Sequence, residues 1–134
     1  MRDVAEHQRI SSGSPFEPTI GFSRAMRVGD RVLVSGTGPV PAVPGGPCPE
    51  GARAQAQRCF EIIGAALAEA GASFDDVVRT RMYITSAGDA DAVGAVHGEL
   101  LGHVRPAATM VVVAGLLDPA WKVEIEAEAE LPRQ

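Results

Sequence analysis

The chain has 134 residues, of which 46% are apolar and 22% charged, and its formal charge is -5. That length suits one domain with its own core, and that composition excludes a disordered chain. The acidic balance speaks against a nucleic-acid binder, which carries a basic face, and no apolar run approaches the ~18–20 residues of a membrane span.

The first residues, Met1-Arg-Asp-Val-Ala-Glu-His, lack the apolar region of a signal peptide, so a cytoplasmic protein is expected. Residues 1–20 are rich in Ser, Pro and Gly and read as an irregular arm. Ala25–Val28 and Arg31–Val34 flank Gly29-Asp30, the signal of a tight hairpin with a type II′ turn. Ser35-Gly36-Thr37-Gly38 follows. Its glycines would let backbone N–H groups approach a ligand, or would simply end a strand. Pro39 to Pro49 is a proline-rich, stiff loop.

Ala56, Phe60, Ile63, Leu67 and Ala70 recur at helical spacing, which predicts a helix over about 50–70 with Gly71 at its C-terminal cap. Asp76 to Thr85 reads as a strand. Val78, Met82 and Ile84 should share one face, and Arg79, Arg81 and Tyr83 the other. Ser86 or Asp89 can cap a second helix reaching about His103, with Val93, Val96, Leu100 and Val104 as its stripe. His97 and His103 lie six residues apart, not the four that put two ligands on one helix face, and neither has a Cys or Asp at metal spacing. No metal and no cofactor are expected. His97 reads as a half-buried packing residue. Cys48 and Cys59 are too few for a disulfide framework.

The end of the chain organises the rest. Roughly Thr109 to Ala114 is an apolar run of the kind that suits a strand buried on both faces. Val123, Ile125, Ala127, Ala129 and Leu131 then alternate with Glu124, Glu126, Glu128 and Glu130, a strand with one apolar and one acidic face. The Arg/Tyr face of the 76–85 strand matches that acidic face in kind. The order hairpin, helix, strand, helix, strand, strand implies an α+β fold, a mixed sheet with both helices on one face. The other face needs a cover, most simply another copy of the chain.

Val123-Glu-Ile-Glu-Ala127, following the Pro106-Ala107 strand, resembles the RidA/YjgF family of reactive-intermediate deaminases. The resemblance runs from about Ser23 to Glu130 and implies a single domain over 1–134 with a RidA-like (chorismate-mutase-like) sheet. It further implies a homotrimer whose sheets form a central barrel, with a ligand cleft between subunits. Active members hydrolyse enamines and imines such as 2-aminoacrylate to a keto acid and ammonia. By that resemblance Glu124 is the water-activating glutamate, and Ser35 and Gly36 supply backbone groups to a small-molecule ligand. Phe22 stands where the family has a tyrosine, and Met110 where it often has a cysteine. Ala108 stands where it has the arginine that grips the substrate carboxylate.

The missing charge-assisted hydrogen bond is worth roughly 1.5–3 kcal/mol, about 10- to 100-fold in binding or rate. Arg105 and Arg81 are candidate substitutes. Two functions follow: a hydrolase of an enamine or imine intermediate with a non-standard substrate, or a non-catalytic trimer that binds a metabolite or partner. Retention of Glu124 favours the first and Ala108 favours the second.

Overall fold

The computed structural model describes residues 7–132. Six strands form one sheet: β1 (Gln8–Ile10), β2 (Ala25–Val28), β3 (Arg31–Thr37), β4 (Val77–Ile84), β5 (Ala107–Val112) and β6 (Val123–Glu130). Two long helices, α1 (Ala52–Glu69) and α2 (Ala90–Leu101), accompany it. The strand order is β1-β2-β3-β6-β4-β5. β4 and β5 are parallel, and every other neighbouring pair is antiparallel. The parallel pair is the one joined by a helix, because parallel strands need a crossover.

The β2–β3 turn forms as the sequence predicts. Val28 pairs with Arg31, and Gly29 has φ 61° while Asp30 stays at negative φ, as a II′ turn requires. α1 ends in a Schellman motif: Gly71, at φ 84°, donates to the Ala68 carbonyl and Ala72 to that of Leu67. Phe60, Ile63 and Leu67 of α1 and Val93, Val96 and Leu101 of α2 meet Val32, Ile84, Val123 and Ile125 of the sheet in one core. Each of these side chains is at most 1% exposed, so each contributes about 1.5–3 kcal/mol of burial.

Four details differ from what the sequence predicts. The N-terminal stretch is not irregular throughout: β1 pairs with β2, and Glu17–Gly21 makes a turn of π-helix. Ile10, 3% exposed, fixes that strand by burial against the core. Residues 1–6 of the arm lie outside the described residues. Second, a bulge between Val77 and Arg79 puts Val77 into the core and turns Val78 outward, so Val78 does not share the face of Met82 and Ile84. Third, β5 is an edge strand, and within the single chain it is largely exposed, not buried on both faces. It has only β4 for a neighbour, and Val111 and Val112 remain 42% and 56% exposed.

The second helix also shifts its stripe. Leu101 is fully buried, whereas Leu100 and Val104 are only half-buried. Ser86 caps the short turn Ala87–Asp89 before it, its hydroxyl accepting from the Gly88 N–H.

Candidate functional site

The site begins as an irregularity in β3. Val34 pairs with Ala127 and Thr37 with Ile125, so Ser35 and Gly36 together oppose Glu126 alone. That is a β-bulge inside the strand, neither a strand end nor a free turn. It brings the backbone of Gly36 against Glu124 of β6. A Cβ built on Gly36 would lie 3.0 Å from Glu124 Oε1. Glycine is therefore what allows the carboxylate to lie there.

Glu124 is half-buried on the sheet face opposite the helices. Burial and the neighbouring Glu126 push its carboxyl above the usual carboxylate range, while Arg24 acts in the other direction. A carboxylate so placed is a stronger base than one in water.

Arg24 is a group the sequence reading passed over. It precedes β2, and strand alternation from the core residue Ala25 turns it to the Glu124 face. Its Nη2 donates to the carbonyls of Ser35 (2.6 Å) and Gly36 (2.7 Å), the two residues the bulge removes from regular pairing. Ser35 Oγ in turn donates to the Ser23 carbonyl at 2.7 Å. Glu17 and Glu124 both bear on the guanidinium electrostatically, but neither closes an ion pair with it at 4.0 Å or less. Its Nε is shut off from solvent with no hydrogen-bond partner. A buried donor left so costs about 1–3 kcal/mol.

Glu17 is itself tied down. Its carboxylate accepts from Ser11 Oγ at 2.8 Å, from the Ser12 N–H at 2.9 Å and from the Ser12 hydroxyl, which holds its pKa down.

The rest of the acidic face is a ladder of pairs. Arg79, Arg81 and Tyr83 stand opposite Glu128, Glu126 and Glu124, as the matching faces predict. Tyr83 donates to Glu126 at 2.8 Å, and Arg81 and Arg31 donate to Glu128 at 3.1 and 2.9 Å. Arg81 is thus engaged within the ladder and is not free to replace the missing arginine.

The remaining predicted ligand-binding residues do not gather here within one chain. Phe22 is 40% exposed and lies two residues before Arg24 in the chain. Ala108 pairs with Thr80 and Met110 with Met82, both of which are buried against the helices. Their side chains share that face, not the face of Glu124. Arg105 precedes β5 at φ 55°, and no described side chain pairs with its guanidinium.

Other candidates take structural positions. His97 bonds to Thr80 Oγ1 at 2.8 Å and lies edge-on to Phe60, with its pKa lowered by burial. Cys48 and Cys59 are free thiols, and burial pushes Cys59 up to about 12. Among the described residues no cluster of His, Cys, Asp or Glu is arranged to hold a metal. No helix among them is long and apolar enough to cross a membrane. A groove of about 390 Å³ between the proline-rich loop and α1 is lined by Pro41, Val43, Pro47 and Arg58, away from Glu124.

Two supports of the site were also not legible in advance. Gln55, 2% exposed, donates to the Pro49 and Ala120 carbonyls and accepts from the Lys122 N–H. It fixes the start of β6. Trp121 packs on Gly38, where a Cβ would lie 2.4 Å from its ring. The signals were a glutamine within an apolar helical stripe and a lone tryptophan just before the alternating strand.

The family model described as Endoribonuclease L-PSP matches residues 13–131. An uncharacterised protein of Streptomyces coelicolor is 40% identical over 126 residues, covering 91% of this chain and 90% of its own. A RutC family protein of Pyrococcus abyssi is 33% identical over 100 residues, covering 75% of this chain and 79% of its own. Among solved structures, a Mycobacterium tuberculosis member of the YjgF/YER057c/UK114 family superposes with TM-score 0.83 at 40% identity, over 93% of this chain and 99% of that one. RidA from an Antarctic Psychrobacter superposes with TM-score 0.77 at 29% identity, over 92% and 94%. Sequence and fold agree, and the chain belongs to the YjgF/RidA family.

Proposed function

We propose that this chain is a RidA-like hydrolase of an enamine or imine, acting at a cleft between subunits of a homotrimer. The observation that carries the reading is the Glu124 carboxylate, half-buried and raised in pKa beside the Gly36 bulge. The exposed, apolar edge strand β5 and the exposed Leu33, Val111 and Val112 support assembly, since apolar surface left in water favours a partner.

The chemistry needs little. Glu124 holds a water and takes its proton as the oxygen attacks the imine carbon. The nitrogen, once protonated, leaves as ammonia, and the carbon–oxygen double bond closes to give the carbonyl product. Backbone groups of Ser35–Gly36 orient the ligand.

A binding-only role is the second reading. Ala108 in place of the family arginine favours it. The charge of -5 speaks against an RNA-cleaving role despite the family model's description.

The test is ammonia release from 2-aminoacrylate generated in the assay, against an imine lacking a carboxylate. Turnover that falls by at least 100-fold in Glu124→Gln supports the hydrolase. No turnover on any imine by a folded assembly would move the binding role ahead.

A further inference from the structure

The guanidinium of Arg24 is only half used by the protein. Nη2 spends its donors on the Ser35 and Gly36 carbonyls. Nε is buried without an acceptor and is closed to a ligand, whereas Nη1 is not enclosed in that way and has no described partner, so Nη1 is the donor open to an anion. Two carboxylates lie near, yet the charge is not neutralised by contact. Glu17 is taken up by Ser11 and Ser12, and Glu124 stands beyond ion-pair distance on the other side of the bulge. A fixed cation with unspent donors, half-buried beside the candidate base, is the usual way a protein receives an anion.

We infer that Arg24 is the anion-binding group of this cleft, receiving the carboxylate of a small keto- or imino-acid ligand from the β2–β3 side of Glu124. The site would then have moved the cation rather than lost it. The vacancy at Ala108 lies at the far edge of the sheet, on the helix side, whereas Arg24 lies on the face of Glu124 itself. The bulge is part of the device: its two carbonyls hold the guanidinium at a set angle, and Gly36 leaves room between it and the base. The ligand class changes accordingly. An anionic ligand is accepted, and its carboxylate is presented from the opposite side of the base to that implied by an arginine at position 108.

This inference rests on the reading of Glu124 as the site, and binding tests it apart from catalysis. The probes are pyruvate and its uncharged isostere pyruvamide, titrated against the assembled protein and Arg24→Gln. Pyruvate affinity is expected to fall about 10- to 100-fold in the variant, with pyruvamide changed by less than about twofold. A merely structural role for Arg24 would weaken both alike, and that result, or no change in either, overturns the inference.

Should Arg24→Gln not fold, the wild-type protein still decides the matter. The Arg24 Nη–H resonance is expected to move with pyruvate and not with pyruvamide. An unmoved resonance at saturation, or no binding of pyruvate at millimolar concentration, overturns the assignment. Pyruvate binding through Arg24 with no imine turnover would uphold this site while overturning the hydrolase. Turnover abolished by Glu124→Gln but insensitive to Arg24→Gln would do the reverse.

Discussion

At the scale of single residues, Glu124 carries two opposed consequences. Its pKa is raised by burial, so keeping it charged in the folded state costs stability above that pKa. Below the unfolded value both states are neutral and the cost vanishes. Glu124→Gln should therefore melt at or above the wild-type temperature at pH 7, and the difference should close as pH falls toward 4. The same variant should lose imine hydrolysis, so stability and activity move in opposite directions. The rate should rise with pH through an acid limb above the ordinary glutamate value. Glu126→Gln should move that limb to lower pH, since Glu126 helps raise Glu124. Gly36→Ala tests the geometry by a different route. The added methyl meets Oε1 at 3.0 Å, so the carboxylate must shift, and turnover should drop about tenfold or more while the melting temperature changes little.

At the scale of elements, the ends of β3 and β6 are pinned by side chains, not by ladder bonds alone. Gly38→Ala drives a methyl to 2.4 Å from the Trp121 ring. Overpacking of that order costs about 1–3 kcal/mol, readable as a lower denaturation midpoint. Gln55→Leu strands two carbonyls and one N–H at the entry to β6 and should cost about 2–4 kcal/mol by urea unfolding. The turn before β2 depends on Glu17 in a pH-dependent way. Its folded pKa is lowered chiefly by the Ser12 hydroxyl and N–H and less by Ser11, so its contribution is present above the unfolded value and is lost as pH falls through the folded one. Glu17→Gln should be about 1–2 kcal/mol less stable at pH 7 and equal to wild type in strong acid.

At the scale of the whole molecule, one sheet face is covered and the other is not. The helices bury Val123, Ile125, Ala127 and Ala129, while the opposite face shows an acidic ladder with Leu33 and Val111 exposed at 41% and 42%. Light scattering at micromolar concentration is expected to give three times the chain mass. A monomer would remove the inter-subunit cleft from the proposed mechanism. Placing an aspartate at Val111 should weaken the assembly, because a buried unpaired charge is costly, while leaving a chain whose helical face is intact.

The fold was legible because its signals are periodic and local. The alternation from Val123 to Leu131, the helical stripe of α1 and the Gly29-Asp30 turn each specify an element from a few neighbouring residues, and the element order then leaves few topologies. Glu124 and the Ser35–Gly36 pair were legible only through family resemblance. Bulges were not legible at all: the shifts at Val77–Arg79 and Val34–Thr37 depend on which strand lies alongside, and pairing is a long-range choice. Arg24 was missed for the same reason, since its partners lie on β3, eleven and twelve residues away. The sequence by itself determined most of the core-facing side chains of α1 and β6, because those follow from period, whereas the bulge moved Val78 out and α2 buried Leu101 in place of Leu100. Only the tertiary structure decided that Ala108 and Glu124 face opposite ways and that a different arginine lies near the acid, because register and bulges set what meets across a sheet.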